Sequence, residues 1–148
     1  MIDMKSILEK NNISYQLIKH EKPIRTAKEG AEFFGCELGQ TAPTLIIKTE
    51  RGFFALIVSA RQGGIDFAEV AAVLGCQDVQ LASKEEVKKL TGCSVGSVPL
   101  VGHNLPCVID KRLLGYSAIY GGSGQATCTL KLDPARLFEV NRVVATIH

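Results

Sequence analysis

The stretch Thr44-Leu45-Ile46-Ile47-Lys48-Thr49-Glu50-Arg51-Gly52-Phe53-Phe54-Ala55-Leu56-Ile57-Val58-Ser59 consists of two apolar runs divided by Glu50-Arg51-Gly52. Both runs are rich in β-branched, aromatic and long aliphatic residues, and the divider carries a glycine, so the stretch predicts a β-hairpin over 44–49 and 53–59. The pattern then changes. Asp66-Phe67-Ala68-Glu69 precedes Val70 to Leu74 and stops at Gly75. Ser83-Lys84-Glu85-Glu86 precedes Val87 to Leu90 and stops at Gly92, with the short strand-like run Val79 to Ala82 between the two. In each opening the first side-chain oxygen can accept from orphan amides of the first turn while the glutamate reaches back, and glycine ends the helix. A hairpin followed by helix–strand–helix demands a mixed sheet with helices on it, the α+β (mixed α/β) class.

The same reading extends outward. Met4 to Asn11 predicts a helix with Ile7 and Leu8 inward and Asp3 as its cap, followed by strand-like Tyr15 to Lys19. Thr26-Ala27-Lys28-Glu29 opens a helix that stops at Gly35. Beyond residue 92, Pro106 to Ile109, Ser117 to Tyr120, Thr127 to Leu132 and Arg142 to Ile147 read as strands. Asp133-Pro134 starts a further helix with proline at its first position. Turn signals are evenly spread and no repeat or linker appears, so residues 1–148 are expected to form a single domain.

Composition narrows the classes. With 46% hydrophobic and 22% charged residues over 148 positions, disorder, collagen and coiled coil are excluded. A net charge of +2 is too mild for a protein that coats nucleic acid, though a local basic site such as Lys84, Lys88 and Lys89 remains compatible with RNA contact. Cys36, Cys76, Cys93, Cys107 and Cys128 form no C-x-x-C pair, which argues for reduced thiols rather than a disulfide framework or zinc site. The charged start at Asp3, Lys5, Glu9 and Lys10 is unlike a signal peptide, and no apolar run reaches bilayer length. A cytoplasmic protein without a membrane partner is expected.

Several motifs admit a chemical reading. Gly92-Cys93-Ser94-Val95-Gly96 matches G-x-S-x-G, with Asp110 or Asp133 and then His148 in hydrolase order. Its context is wrong, because a helix rather than a strand precedes the serine. Gly121-Gly122-Ser123-Gly124 lies between two expected strands, either as an amide nest for an anion or carbonyl or as a plain turn. The apolar loop from Gly96 to Asn104 is costly to expose and is expected to line a pocket, with His103 as a base, a sugar contact or a structural histidine. Lys48, at a strand end, is a phosphate contact or a solvated residue. No basic platform with interleaved aromatics appears along the chain.

Three blocks occur together in order: Leu81-Ala82-Ser83 to Thr91-Gly92; Gly96-Ser97-Val98-Pro99 to Gly102, then Val108-Ile109-Asp110; and Gly121-Gly122-Ser123-Gly124, then Leu132-Asp133-Pro134. From His20 to Leu137 the chain resembles the YbaK/prolyl-tRNA editing-domain superfamily of aminoacyl-tRNA deacylases. The resemblance implies a curved, mixed, partly barrel-like sheet flanked by helices. It implies hydrolysis, in trans and without a metal or other cofactor, of the ester of a tRNA mischarged with a small amino acid, the acceptor end being the partner. A synthetase is a second candidate partner. In such a site oriented amides hold the ester carbonyl, and the 2′-hydroxyl of the terminal adenosine helps activate water. Carried over, Gly96, Ser97, Gly121 and Gly122 are the expected catalytic positions. His20, Thr26, Thr44, Lys48, Val98, His103, Ser123 and Gly124 are expected to bind substrate. The sequence departs from the pattern at Pro43, where relatives usually carry a lysine important for activity, and at Leu100, often proline. Three readings therefore stand: an editing hydrolase, a non-catalytic binding module of the same fold, and an esterase using Ser94 and His148.

Overall fold

A computed structural model describes residues 4–24, 26–61 and 65–148. The expected cap Asp3 lies outside the described residues. The chain runs α1 (Met4–Lys10), β1 (Tyr15–Lys19), α2 (Ala27–Phe34), β2 (Thr41–Ala42), β3 (Thr44–Thr49), β4 (Gly52–Ile57), α3 (Phe67–Leu74), β5 (Val79–Leu81), α4 (Lys84–Thr91), β6 (Cys107–Asp110), β7 (Ile119–Gly122), β8 (Cys128–Leu132), α5 (Leu137–Val140) and β9 (Val143–Ile147). Short 3₁₀ turns cover Leu38–Gln40, Lys111–Gly115 and Pro134–Arg136.

The strands form two mixed sheets, ordered β1-β8-β7-β2 and β5-β3-β4-β6-β9. Pairing is parallel for β2–β7, β4–β6 and β6–β9 and antiparallel elsewhere. The sheets do not close on each other, so the expected likeness to a barrel is a loose one. One strand path joins them: Thr41–Ala42 belongs to the first sheet, Thr44–Thr49 to the second, and Pro43 stands between. Proline has no amide to donate to a ladder, which suits the place where the chain leaves one sheet for the other. This two-residue β2 went unpredicted, because it is too short to carry a periodicity of its own.

The central hairpin is buried on both sides. Ile46, Ala55 and Ile57 face the main core with Cys107, Ile109, Leu130 and Leu132, while Ile47 and Leu56 face the opposite way with Val70 of α3, Val108 and Ile147. Strands covered on both faces read as near-continuous apolar runs. Thr49 Oγ1 closes the hairpin turn, accepting from the Arg51 amide (3.0 Å) and donating to the Gly52 carbonyl (2.9 Å).

All three expected caps form, but only one glutamate reaches back. Ser83 Oγ accepts from the Glu86 amide and the Glu86 carboxylate accepts from the Ser83 amide. Thr26 and Asp66 cap without that return. Glu69 instead accepts from the His148 amide at 3.0 Å. Gly35, Gly75 and Gly92 end their helices at φ of 64°, 67° and 75°, a region glycine enters without a Cβ penalty. Asp133 caps a 3₁₀ turn that runs into the short α5. All five cysteines are free thiols, and four are buried.

Candidate functional site

A cleft of about 130 Å³ opens beside Pro43. Ala27, Gly30 and Phe34 of α2 form one wall, and Thr41, Ala42 and Pro43 form its floor. Tyr120, Gly121 and Gly122 of β7 and Thr129 of β8 face them, with Gly96 at one end. Among the described residues that line it, none carries a charge. Its polar groups are the hydroxyls of Thr26, Thr41, Tyr120 and Thr129, the Gln125 amide, the Cys128 thiol and the backbone.

The glycines serve two different needs. Gly121 and Gly122 do not lie in a turn between strands, as expected, but inside β7. There they pair with Leu130 and Thr129 on one side, and Gly121 with Ala42 on the other. Neither has a positive φ. They are small because the 97–100 segment crosses directly over them. A Cβ on Gly122 would fall onto the Val98 carbonyl oxygen, and one on Gly121 would lie 2.6 Å from the Leu100 side chain and 2.8 Å from the Ala42 carbonyl oxygen. Gly96 and Gly124, at φ of 92° and 95°, are the positions where backbone sense requires glycine. The crossing is pinned by Leu100 N–H to Gly122 O (3.1 Å) and Gly124 N–H to Ser97 O (2.9 Å). Ser123 Oγ donates to the Cys128 carbonyl at 2.6 Å and so closes the β7–β8 turn.

Of the expected binding residues, Thr26 is in the cleft wall and also caps α2, its Oγ1 accepting from the Glu29 amide at 3.1 Å. His20 stands behind the wall. Its Nδ1 lies 2.7 Å from the Lys22 carbonyl, which can only accept, so Nδ1–H is the donor. Nε2 then accepts from the Thr129 hydroxyl at 3.1 Å and orients it. Val98 and Ser97 are buried in the crossing segment. Thr44 is buried beyond Pro43, its Oγ1 without a hydrogen-bond partner among the described residues.

Two expected residues lie elsewhere. Lys48 pairs with Glu86 of α4 at 2.9 Å rather than entering the cleft, because it sits at the far end of β3. His103 borders a separate cavity of about 230 Å³ with Ile7, Asn104 and Arg142. Its Nδ1 accepts from the Leu105 amide at 3.2 Å, and burial pushes its pKa down to about 4. Among the described residues no hydrogen bond joins the side chains of Ser94, His148 and either aspartate of the esterase reading, and Asp133 caps the turn before α5 and pairs with Arg136. Ser94 is exposed after α4, the His148 amide is tied to Glu69, and Asp110 is fully buried and engaged by Arg112. Burial alone would raise the Asp110 pKa, but the Arg112 guanidinium and the amides of Ser59 and Arg112 hold it below the ordinary value. Among the described residues no three His, Cys, Asp or Glu side chains converge on a point where a metal could sit. No helix among them is long and apolar enough to cross a membrane.

Sequence reading missed Phe34, Tyr120, Gln125 and Thr129 as cleft residues. The only local signal was alternation: Thr129 and Lys131 alternate with Leu130 and Leu132, which enter the core.

The family model of the aminoacyl-tRNA editing domain matches residues 21–140. A proline–tRNA ligase of Desulforamulus reducens is 31% identical over 119 residues, which is 78% of this chain and 20% of the ligase. The multifunctional Ser/Thr-tRNA deacylase ProXp-y of Escherichia coli K12 is 27% identical over 99 residues, 64% of this chain and 58% of that protein. The chain thus spans about a fifth of the first relative and somewhat over half of the second. A crystal structure described as a candidate trans-editing enzyme for prolyl-tRNA synthetase superposes with a TM-score of 0.83 at 30% identity, covering 94% of this chain and 90% of that one. With the matched region spanning every wall of the cleft, from Ile24 to Thr129, the chain belongs to the aminoacyl-tRNA editing-domain family.

Proposed function

We propose that this chain is a deacylase domain that hydrolyses the ester of a tRNA carrying a wrong, small amino acid. The observation that carries the reading is the cleft itself: it is small, about 130 Å³, and its walls are mostly backbone and short side chains. Such a cleft admits a small aminoacyl group and rejects a large one, which is how a second sieve edits. An ester is already labile, so amides aimed at its carbonyl and a positioned water suffice for much of the acceleration. In this reading the backbone at Gly96 and Gly121–Gly122 polarises the carbonyl, Thr26 and Thr129 hold the amino group, and the substrate's own 2′-hydroxyl assists the water. The synthetase that charges the tRNA is the second partner, in keeping with ligase relatives that carry this domain in their own chain.

The test is a deacylation time course on Ala-, Ser-, Cys- and Thr-tRNA, wild type beside Gly122→Val. Cleavage of one or two small esters, lost in the variant, is expected. Rates equal to buffer across the panel would sink the reading. One observation favours a second reading, a module that binds the aminoacyl end without cleaving it: Pro43, in the cleft floor, stands where relatives usually have a lysine. That reading predicts tRNA affinity with no turnover.

A further inference from the structure

Four rings meet at the mouth of the cleft. Phe34 and Tyr120, both in its wall, stack with centroids 4.7 Å apart and planes at 20°. Phe33 packs edge-on against Phe34 at 5.0 Å, and His20 packs edge-on against Phe33 at 5.6 Å. Phe33 is 58% exposed, among the most exposed large apolar side chains of the molecule. One exposed phenylalanine means little, but a chain of touching rings that leads from solvent into a cleft is a surface with a direction. It is also flanked by cations. Lys131 Nζ lies 5.4 Å from the Tyr120 centroid, and the exposed Lys19 and Lys22 stand close to His20 in the chain, with Glu21 between His20 and Lys22.

We infer that Phe33, with Phe34 and Tyr120 behind it, is a stacking platform for an unpaired nucleobase at the 3′ end of the RNA whose ester enters the cleft. This rests on the editing reading above. Base stacking on aromatic rings is tolerant of base identity, and nearby lysines meet the phosphates that follow. Two features favour RNA over a protein partner. The rings are continuous with the cleft that takes the ester, and the rim offers lysines to a polyanion. Phe33 is then a positioning residue: it places the terminal sugar so that the ester reaches the glycine crossing.

The experiment uses an unacylated CCA trinucleotide with 2-aminopurine as its last base, a probe whose fluorescence falls on stacking. Wild-type protein is expected to quench it. Phe33→Ala, a change at an exposed position, is expected to weaken binding roughly tenfold, Phe33→Leu to resemble alanine, and Phe33→Trp to restore binding and quenching. On an aminoacyl-tRNA the alanine variant should lose kcat/KM by a similar factor, while an aminoacyl ester of a base-free ribose, which keeps the 2′-hydroxyl but offers no ring to stack, should be cleaved equally by both. Absence of quenching by wild type, or equal affinity of wild type and Phe33→Ala, overturns the platform and leaves the rings as a protein-facing patch. Quenching that depends on Phe33 in a protein that cleaves no ester would sustain the platform while refuting the deacylase.

Discussion

Gly122→Ala adds a single methyl group at the point where the 97–100 segment lies on β7. The new Cβ would clash with the Val98 carbonyl oxygen and stand 2.8 Å from the Val98 carbonyl carbon and 3.2 Å from the Ser97 oxygen. All three neighbours are backbone, so no rotamer change relieves the clash and the segment must lift. Lifting it strains or breaks the hydrogen bonds Leu100 N–H to Gly122 O and Gly124 N–H to Ser97 O. Each is worth about 1 kcal/mol net, and overpacking adds about 1–3 kcal/mol. With both bonds lost, the expected loss of stability is about 3–5 kcal/mol, a fall in Tm of about 6–20 °C for a domain of this length. Deacylation should fall more steeply than stability, since a displacement of about 1 Å in a wall that orients the reacting group costs on the order of 100-fold in rate. The assay pairs thermal unfolding with kcat/KM measured well below the variant's Tm. Gly92→Ala is the control. Its position has no neighbour within 4 Å but a φ of 75°, so it should lose about 1 kcal/mol of stability and no activity. If Gly122→Ala matched wild type in both Tm and rate, the close crossing would not be what holds the cleft.

His103 makes stability depend on pH. Its ring titrates near 6.5 when unfolded and at about 4 when folded, so between these values the unfolded chain binds the extra proton and stability falls as pH falls, by a total of about 3 kcal/mol. Urea unfolding across pH 4 to 7 should show this slope, and His103→Gln should flatten it. Asp110 acts lower: its folded pKa is depressed, so its contribution is complete above the unfolded value and is lost as pH falls through the folded one. Asp110→Asn should cost about 3 kcal/mol at pH 7, because it leaves Arg112 half-paired, and should remove that acid-range slope in the same unfolding experiment. Lys48→Ala removes a half-exposed ion pair and should change stability by under about 1 kcal/mol; deacylation kinetics should be unaltered, and a tenfold loss would place Lys48 in the reaction after all.

The legible parts of this protein are those whose causes are close in the chain. Ser83 and Glu86 satisfy each other's amides across three residues, Gly92 ends the same helix, and Thr49 and Gly52 close the hairpin, so these features follow from nearest neighbours. Order and spacing of the glycine blocks also pointed to the family, because a backbone crossing constrains residue size at fixed places. The role of the second glycine block was misread for a physical reason. Glycine permits both a positive φ and a close approach, and sequence alone does not say which one a position uses. Gly121 and Gly122 serve approach; Gly124 serves φ.

By itself, then, the sequence determined the starts and stops of α2, α3 and α4, the central hairpin, the mixed α+β class and the glycine-built character of the site. Local hydrogen bonding and the period of apolar residues act over a few positions, and they act the same way in any context. Only the tertiary structure decided what the cleft contains and what stands at its mouth. Parallel pairing of β2 with β7 brings Ala42 beside Gly121, the break between the sheets at Pro43 places the floor opposite α2, and the rings of His20, Phe33, Phe34 and Tyr120 meet across as many as 100 residues. Such meetings depend on how two sheets pack, and nothing within reach of a single residue encodes that.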